Sequence, residues 1–335
     1  MNNVVFLVDA RRESGFGNLS RIRALSKEFK SKKVKIIVKA ESEIFKKIQE
    51  KEYDEEILIP SNPQREISTI VNFLNSNNAN YLVTDLFAGE YLSNPENFIN
   101  YHLEIKKNLP QIKLITIDDV RTLRYKNNYA NLSVIANTTA SCKVEGTRII
   151  GSSFTIFNPA IVINKKYVNN KKIYKFLISF GGLDTSFDTL RVIKAINKYN
   201  LSSQDERVKV ILGKAFPSWY VSRIEEFCRI NGYETTFFYD EYFKDITSSK
   251  IVICGEGATK FDALALGVPP VVITQFDHFS KPIREFIDSD LSYYFGKTSE
   301  FTEMKFANYL NGVLKEKNVY EKKKERGLRA YDGLG

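Results

Sequence analysis

The chain has 335 residues, 43% hydrophobic and 27% charged, which at about 150 residues per domain describes a two-domain globular protein and excludes a disordered or fibrous one. Its net charge of +9 admits an anionic partner, but the lysines are spread along the chain without a DNA- or RNA-binding motif, so nucleic acid is not an expected partner. The three cysteines, Cys142, Cys228 and Cys254, are scattered, and no apolar run approaches the ~20 residues that span a bilayer; a cytoplasmic protein without disulfides is expected.

The chain opens on VVFLVDARRESGFGNLSRIRA, which reads as a buried strand over Val4–Val8, a polar loop ending in Gly15-Phe16-Gly17, and a basic amphipathic helix from near Asn18. A strand that feeds a glycine loop into a helix N-terminus is one way to hold a phosphate or a sugar, although a glycine there also serves helix–strand packing. Short β-branched runs follow at Val34–Val38, Glu56–Ile59, Tyr81–Thr84, Leu114–Ile117, Leu132–Ile135 and Arg148–Ile150, separated by helical patterns such as Gln64–Ser76 and Asn94–Asn108. The segment Asn164–Lys172 is polar, charged and without periodicity, and reads as a linker. A second series then begins: strands Tyr174–Ser179, Val208–Leu212, Glu234–Tyr239, Ile251–Cys254 and Pro270–Ile273, with helices at Ser186–Tyr199, Ser218–Asn231 and Thr259–Leu266. The expected class is α/β: two Rossmann-like, doubly wound parallel-sheet domains, 1–163 and 173–335, facing a cleft, with the last helix free to return to the first domain.

Two loops of the second domain carry the strongest signals. Phe180-Gly181-Gly182-Leu183-Asp184-Thr185-Ser186 follows a buried strand and opens a helix, and Gly255-Glu256-Gly257-Ala258-Thr259 repeats that logic. Both together suit a diphosphate, and Asp262, one turn into the second helix, is placed to accept hydrogen bonds from a ribose. His102 lies in a polar stretch (NYHLEIKKN) and reads as a surface residue, whereas His278 in QFDHFSKP reads as a phosphate or sugar contact. The 24 Phe and 18 Tyr fall mostly inside apolar runs and read as core. The basic cluster Lys322–Arg326 reads either as a solvated helix end or as a peripheral contact with an anionic membrane.

The pattern G-x-G-A-T-x-x-D-A-L-A-L-G-V-P, which starts at Gly255, resembles the donor-nucleotide loop and helix of GT-B glycosyltransferases. More closely, the whole chain resembles the UDP-2,4-diacetamido-2,4,6-trideoxy-β-L-altropyranose hydrolase family of the pseudaminic acid pathway and its spore-coat polysaccharide relatives. The matching segments run in order: VDARRESGFGNLSR, YLVTDLFAG, LITIDDVR, IGSSFTIFNP, FLISFGGLD, GEGATKFDALALGVP and the terminal YDGLG, after which relatives usually continue for a few residues. The resemblance implies a GT-B-like fold and a nucleotide held by Gly181, Gly182, Asp184, Thr185, Gly255, Glu256, Gly257, Ala258, Thr259 and Asp262. It implies base contacts near Tyr239, and a loop at Gln275–Lys281, with His278, closing over the nucleotide. Arg11, Gly15, Gly17 and Arg21 would face the sugar, with Phe87 and Asp118 beside it.

The departures from that family matter equally. Its loop reads G-x-G-H, the histidine activating water; here the position is Asn18, an amide that takes no proton near pH 7. A D-H-Y segment is here Asp85-Leu86-Phe87, and an asparagine that some members carry is Phe261. Loss of these polar groups beside retained nucleotide elements points to glycosyl transfer to an unidentified acceptor in surface-glycan synthesis, from an NDP- or CMP-sugar. The alternatives are a UDP-sugar hydrolase that activates water otherwise, and an inactive nucleotide-sugar-binding subunit. An acceptor-activating base would come from Glu13, Asp85, Asp118 or Asp119, with Asn18 orienting a hydroxyl. Neighbours such as Asp118 and Asp119 point to opposite faces of a strand, and GT-B enzymes generally do without a metal, so no metal and no cofactor is expected.

Overall fold

The structure is a computed structural model, and it describes residues 3–29, 34–86, 92, 94–118, 120–136, 138, 143–203, 205–238, 241–275 and 286–334. It divides into two compact units, the first ending at Asn158 and the second running over Pro159–Gly333. The boundary therefore precedes the segment read as a linker. Residues Ala160–Asn164 form a short helix, Lys165–Tyr167 a 3-10 turn, and Lys165 Nζ donates to the carbonyl of Asp332 at 2.5 Å, tying this stretch into the second unit.

The first unit is built on strands β1 (Asn3–Asp9), β2 (Val34–Lys39), β3 (Glu55–Leu58), β4 (Ala79–Asp85), β5 (Lys113–Ile117), β6 (Leu132–Ile135), β7 (Lys143–Glu145) and β8 (Arg148–Ile150). Their order across the sheet is β3-β2-β1-β4-β5-β6-β8-β7, and every neighbouring pair is parallel except β7–β8. Strand β1 is buried along nearly its whole length, which is why its sequence is a continuous apolar run rather than an alternation. The helices Pro63–Ser76 and Pro95–Asn108 start alike: Asn62 and Asn94 cap them through their side chains, and proline takes the first helical position. They bury Ile67, Ile70 and Leu74, and Phe98, Ile99 and Ile105, beneath Val5, Leu7, Leu82 and Leu114 of the sheet.

The second unit is a six-stranded, fully parallel sheet of β9 (Tyr174–Ser179), β10 (Arg207–Leu212), β11 (Glu234–Phe237), β12 (Ser249–Cys254), β13 (Pro270–Thr274) and β14 (Tyr293–Lys297), in the order β11-β10-β9-β12-β13-β14. Its core joins Phe176, Ile178, Val210, Ile253 and Val271 to Ile193, Ile196, Ile224 and Phe306 from the covering helices. The last helix, Lys317–Ala330, packs on the helix Thr259–Ala265 of this same unit, where a Cβ on Gly327 would stand 2.9 Å from Leu264. No described helix is long and apolar enough to cross a membrane.

Two strands escaped the sequence reading. Strand β7 is three exposed residues at a sheet edge, too short for a period, and β14 carries Gly296 at φ +128, which interrupts its apolar pattern. A larger correction concerns His102, which is fully buried instead of on the surface. It stands at i+4 from Phe98 and i−3 from Ile105, on the apolar stripe of its helix. The Phe98 carbonyl lies 2.7 Å from Nδ1 and the Thr84 hydroxyl 2.8 Å from Nε2, so Nδ1 carries the proton and Nε2 accepts. Burial pushes the imidazole down to about 4, against 6.5 for the free side chain. Stability from this group is therefore complete above the unfolded value and is lost as the pH falls from 6.5 toward 4. Urea unfolding at pH 7 and pH 5 should show a loss on the order of 2 kcal/mol that the His102→Gln variant lacks. An identical pH slope in that variant would assign the acid sensitivity elsewhere.

Candidate functional site

In an open parallel sheet, ligands collect at the carboxyl ends of the strands where the winding direction reverses, because the two adjacent loops diverge there. In the first unit the reversal lies between β1 and β4, and in the second between β9 and β12. The loops that the sequence singles out emerge from these four strands.

In the first unit, Asp9 ends β1 fully buried and organises the loop that follows. It accepts from Arg11 Nη2 at 2.6 Å, from the Ser14 hydroxyl at 2.7 Å and from the Arg11 backbone N–H at 3.1 Å. Gly15 closes the turn at φ +68, a conformation that glycine adopts without strain. Gly17 begins the helix Gly17–Ser26, which has no side-chain cap. Arg11, expected to face a sugar, is thus occupied by Asp9 and, through Nη1, by Glu13 at 2.7 Å. The Glu13 carboxylate remains partly exposed, at 43% of its side chain.

Asn18, Arg21 and Asp85, singled out separately in the sequence, are hydrogen-bonded to one another as a closed set. Arg21 grips both Asp85 oxygens, Nη2 to Oδ2 at 2.9 Å and to Oδ1 at 3.0 Å, with Nε to Oδ2 at 3.1 Å. The same Nη2 donates to Asn18 Oδ1 at 2.9 Å, and Asn18 Nδ2 donates to the Asp85 carbonyl at 3.4 Å. Burial pushes the Asp85 carboxyl up while Arg21 opposes it. A carboxylate with both oxygens held by a guanidinium braces a loop and is a poor proton acceptor. Asp118, expected at the substrate, is instead enclosed: Oδ2 accepts from the Tyr129 hydroxyl at 2.5 Å, and Oδ1 is buried without a hydrogen-bond partner among the described residues. Burial pushes this carboxyl up to about 6. Phe87 and Asp119 lie outside the described residues.

In the second unit, the Gly181–Ser186 loop is set by Asp184. Its Oδ1 accepts from the Asp188 N–H at 2.9 Å and its Oδ2 from the Thr189 N–H at 2.7 Å, which satisfies the start of the helix Asp188–Lys198. The Tyr220 hydroxyl adds a third bond at 2.7 Å. Asp184, expected to contact the nucleotide, is therefore a cap. Gly181 sits at φ +76 with open space above it, and the Thr185 hydroxyl is buried without a partner among the described residues. The sequence reading missed Gly213, at the end of β10. A Cβ there would stand 2.5 Å from the carbonyl oxygens of both Gly181 and Gly182, so the two loops touch backbone to backbone.

The second glycine loop opens the helix Thr259–Ala265, which no side chain caps. A Cβ on Gly257 would meet nothing within 4 Å. Lys260 folds back so that Nζ donates to the Glu256 carbonyl and, at 3.1 Å, to that of Gly257, placing a cation inside the loop. Thr259 Oγ1 accepts from the buried Tyr242 hydroxyl at 3.3 Å. Asp262 keeps part of its surface exposed, and its carboxylate has no hydrogen-bond partner among the described residues; its enclosure by protein pushes the carboxyl up to about 7, with Lys260 opposing. Phe261 packs at 5.3 Å from the fully buried Tyr331 ring of the terminal YDGLG and at 5.7 Å from Phe286. Tyr239 and His278 lie outside the described residues.

The basic stretch Lys322–Arg326 is partly consumed within the unit: Lys323 is buried against Asp290, and Arg326 pairs with the same carboxylate at 2.9 Å. Among the described residues no group of His, Cys, Asp and Glu side chains is arranged to hold a metal.

No protein-family model matches the chain. An uncharacterized protein of Methanocaldococcus jannaschii is 24% identical over 294 residues, covering 81% of this chain; the chain spans about half, 55%, of that relative's length. Among solved structures, MurG of Acinetobacter baumannii superposes with a TM-score of 0.61 at 11% identity, covering 98% of this chain and 95% of MurG. The spinosyn rhamnosyltransferase SpnG complexed with thymidine diphosphate gives a TM-score of 0.62 at 10% identity over 100% of this chain and 98% of SpnG. The S. aureus MnaA–UDP structure gives 0.59 at 11% identity over 100% of this chain and 93% of MnaA. At these identities the likeness shows the fold, and the fold is GT-B-like: two α/β units, each on its own parallel sheet.

Proposed function

We propose that this chain is an enzyme that binds a nucleotide sugar through its second unit and transfers the sugar to an acceptor in bacterial surface-glycan synthesis. The observation that carries this reading is Asp262. A carboxylate enclosed by protein, partly open to solvent and without a partner among the described residues is costly on its own, and a pair of ribose hydroxyls is what would relieve it. It sits one turn beyond a glycine loop at the β9/β12 reversal, where Gly257 leaves open space and Lys260 supplies a positive charge for phosphates. That two of the neighbours in the same fold are structures with thymidine diphosphate or UDP supports the same reading.

In the transfer, the bond between the anomeric carbon and the phosphate oxygen breaks, the electron pair leaves on the phosphate, and an acceptor hydroxyl attacks the carbon and loses its proton. Lys260 and the N–H groups of the glycine loops would stabilise the departing phosphate. Of the candidate proton acceptors, Glu13 keeps an accessible carboxylate, whereas Asp85 is gripped by Arg21. Asn18, locked between Arg21 and the Asp85 carbonyl, carries no acid–base chemistry, which weighs against hydrolysis in the manner of the resembling family.

The test is nucleotide binding against pH. Ribose hydroxyls donate to the ionised carboxylate, so binding favours the charged form and affinity should fall about tenfold per unit as the pH drops below about 7. Asp262→Asn should bind about 10–100-fold more weakly at pH 8 and lose that pH dependence. A wild-type affinity flat between pH 5 and 8 would remove Asp262 from the site. With an acceptor present, Glu13→Gln should slow turnover by about 10²–10⁴-fold and leave nucleotide affinity unchanged. Release of free sugar without an acceptor would favour the hydrolase.

A further inference from the structure

Gln275, the first residue after β13, joins the two glycine loops of the second unit. Its backbone N–H donates to Glu256 Oε2 at 2.9 Å, while its side-chain Nε2 donates to Asp184 Oδ1 at 2.7 Å and to Asp188 Oδ2 at 3.3 Å. Asp184 and Asp188 thus share the side-chain amide, while Glu256 of the second loop takes the backbone N–H of the same residue. The orientation of that amide is dictated chemically: only the NH₂ end donates twice, so the carbonyl end must face away from the carboxylates. Oε1 accordingly lies toward the second loop, 3.5 Å from where a Cβ on Gly255 would stand.

We propose that Gln275 is a positioning residue that fixes the separation of the Gly181–Gly182 and Gly255–Gly257 loops, and with it the nucleotide site. The proposal rests on the functional reading above for its ligand, but not for its geometry. Asp184 holds the start of the first helix, and Glu256 belongs to the second loop, so the glutamine is a strut between two elements that leave different strands. Among the described residues, the charged and titratable groups bonded to it are Asp184, Asp188 and Glu256. Arg191 pairs with Asp188 at 3.0 Å, Tyr220 bonds to Asp184, and Lys260 lies on the Glu256 carbonyl. Thr298 supplies Asp188 with a neutral donor at 2.6 Å. Without the amide, Asp184 and Asp188 lose their shared donor and repel each other across the gap.

Gln275→Glu tests this, because it keeps the shape, removes both donors and adds a carboxylate that regains one donor on protonation. UDP affinity is measured by calorimetry, and amide exchange of residues 180–188 and 254–259 is followed in the ligand-free chain. The wild-type-to-variant affinity ratio should be about 30 or more at pH 8 and fall below about 5 at pH 5.5, with exchange rising in both loops at pH 8. Gln275→Met, which removes the donors without adding charge, should raise exchange in both loops at either pH. A ratio unmoved by pH, wild-type affinity in the Glu variant, or faster exchange in one loop only would overturn the proposal. If the wild-type chain binds no nucleotide, the functional reading fails, and the exchange data still decide whether Gln275 couples the loops.

Discussion

Gly213→Ala is expected to destabilise the second unit by about 3 kcal/mol or more and to abolish nucleotide binding with it. The added methyl would stand 2.5 Å from the carbonyl oxygens of Gly181 and Gly182 and 2.5 Å from the Phe216 ring. A flexible side chain yields to such a contact, but two backbone carbonyls do so only if the whole loop moves. That loop is anchored on its far side by Asp184 at the helix start, and the Gly182 carbonyl also accepts from the Ala215 N–H at 3.1 Å. Relief of the clash therefore breaks a backbone hydrogen bond and pulls Gly181 out of place. Urea unfolding and a nucleotide titration on the same preparation check this. Near-wild-type stability would mean that the two loops stand farther apart than a 2.5 Å approach of the added methyl to their carbonyls implies.

Asp85→Ala should cost about 3–5 kcal/mol, because it strands the Arg21 guanidinium in a buried position. The Arg21 side chain is 13% exposed and the Asp85 side chain 2%, and Arg21 directs two of its nitrogens at that carboxylate. Removing both charges, as Asp85→Ala with Arg21→Met, should recover a large part of the loss, which a double-mutant cycle reads directly. A brace and a base differ here. If Asp85→Ala were as stable as wild type and lacked only turnover, Asp85 would be a proton acceptor and the assignment of that role to Glu13 would be withdrawn.

Much of the fold was legible because parallel strands buried on both faces must be continuous apolar runs, as in Val4–Val8 and Phe176–Ile178, and because asparagine followed by proline announces helices such as Pro63–Ser76. The geometry of the candidate site was legible only where it depends on local sequence. The two glycine loops and Asp262 form such a case, since spacing along one strand–loop–helix unit sets them. Residues whose role depends on another strand left no local mark. Gly213 is glycine because of carbonyls some thirty positions earlier, and Gln275 matters because of Asp184, Asp188 and Glu256. Polar residues misled in the same way. Asp184 and Asp85 look like ligands in sequence and serve as a cap and an ion-pair partner, while His102 looks solvated although its i, i+4 relation to Phe98 was visible. A donor or acceptor type is readable from one residue; its partner is not.

Whether the second unit holds a nucleotide at Asp262 is decided by calorimetric titration with UDP, TDP, CDP, CMP and GDP on the wild type and on Asp262→Ala. Saturable binding of at least one of these nucleotides to the wild type, weakened about 10–100-fold in the variant, is the expected result. Binding of none of them, or equal binding by the two proteins, would contradict it.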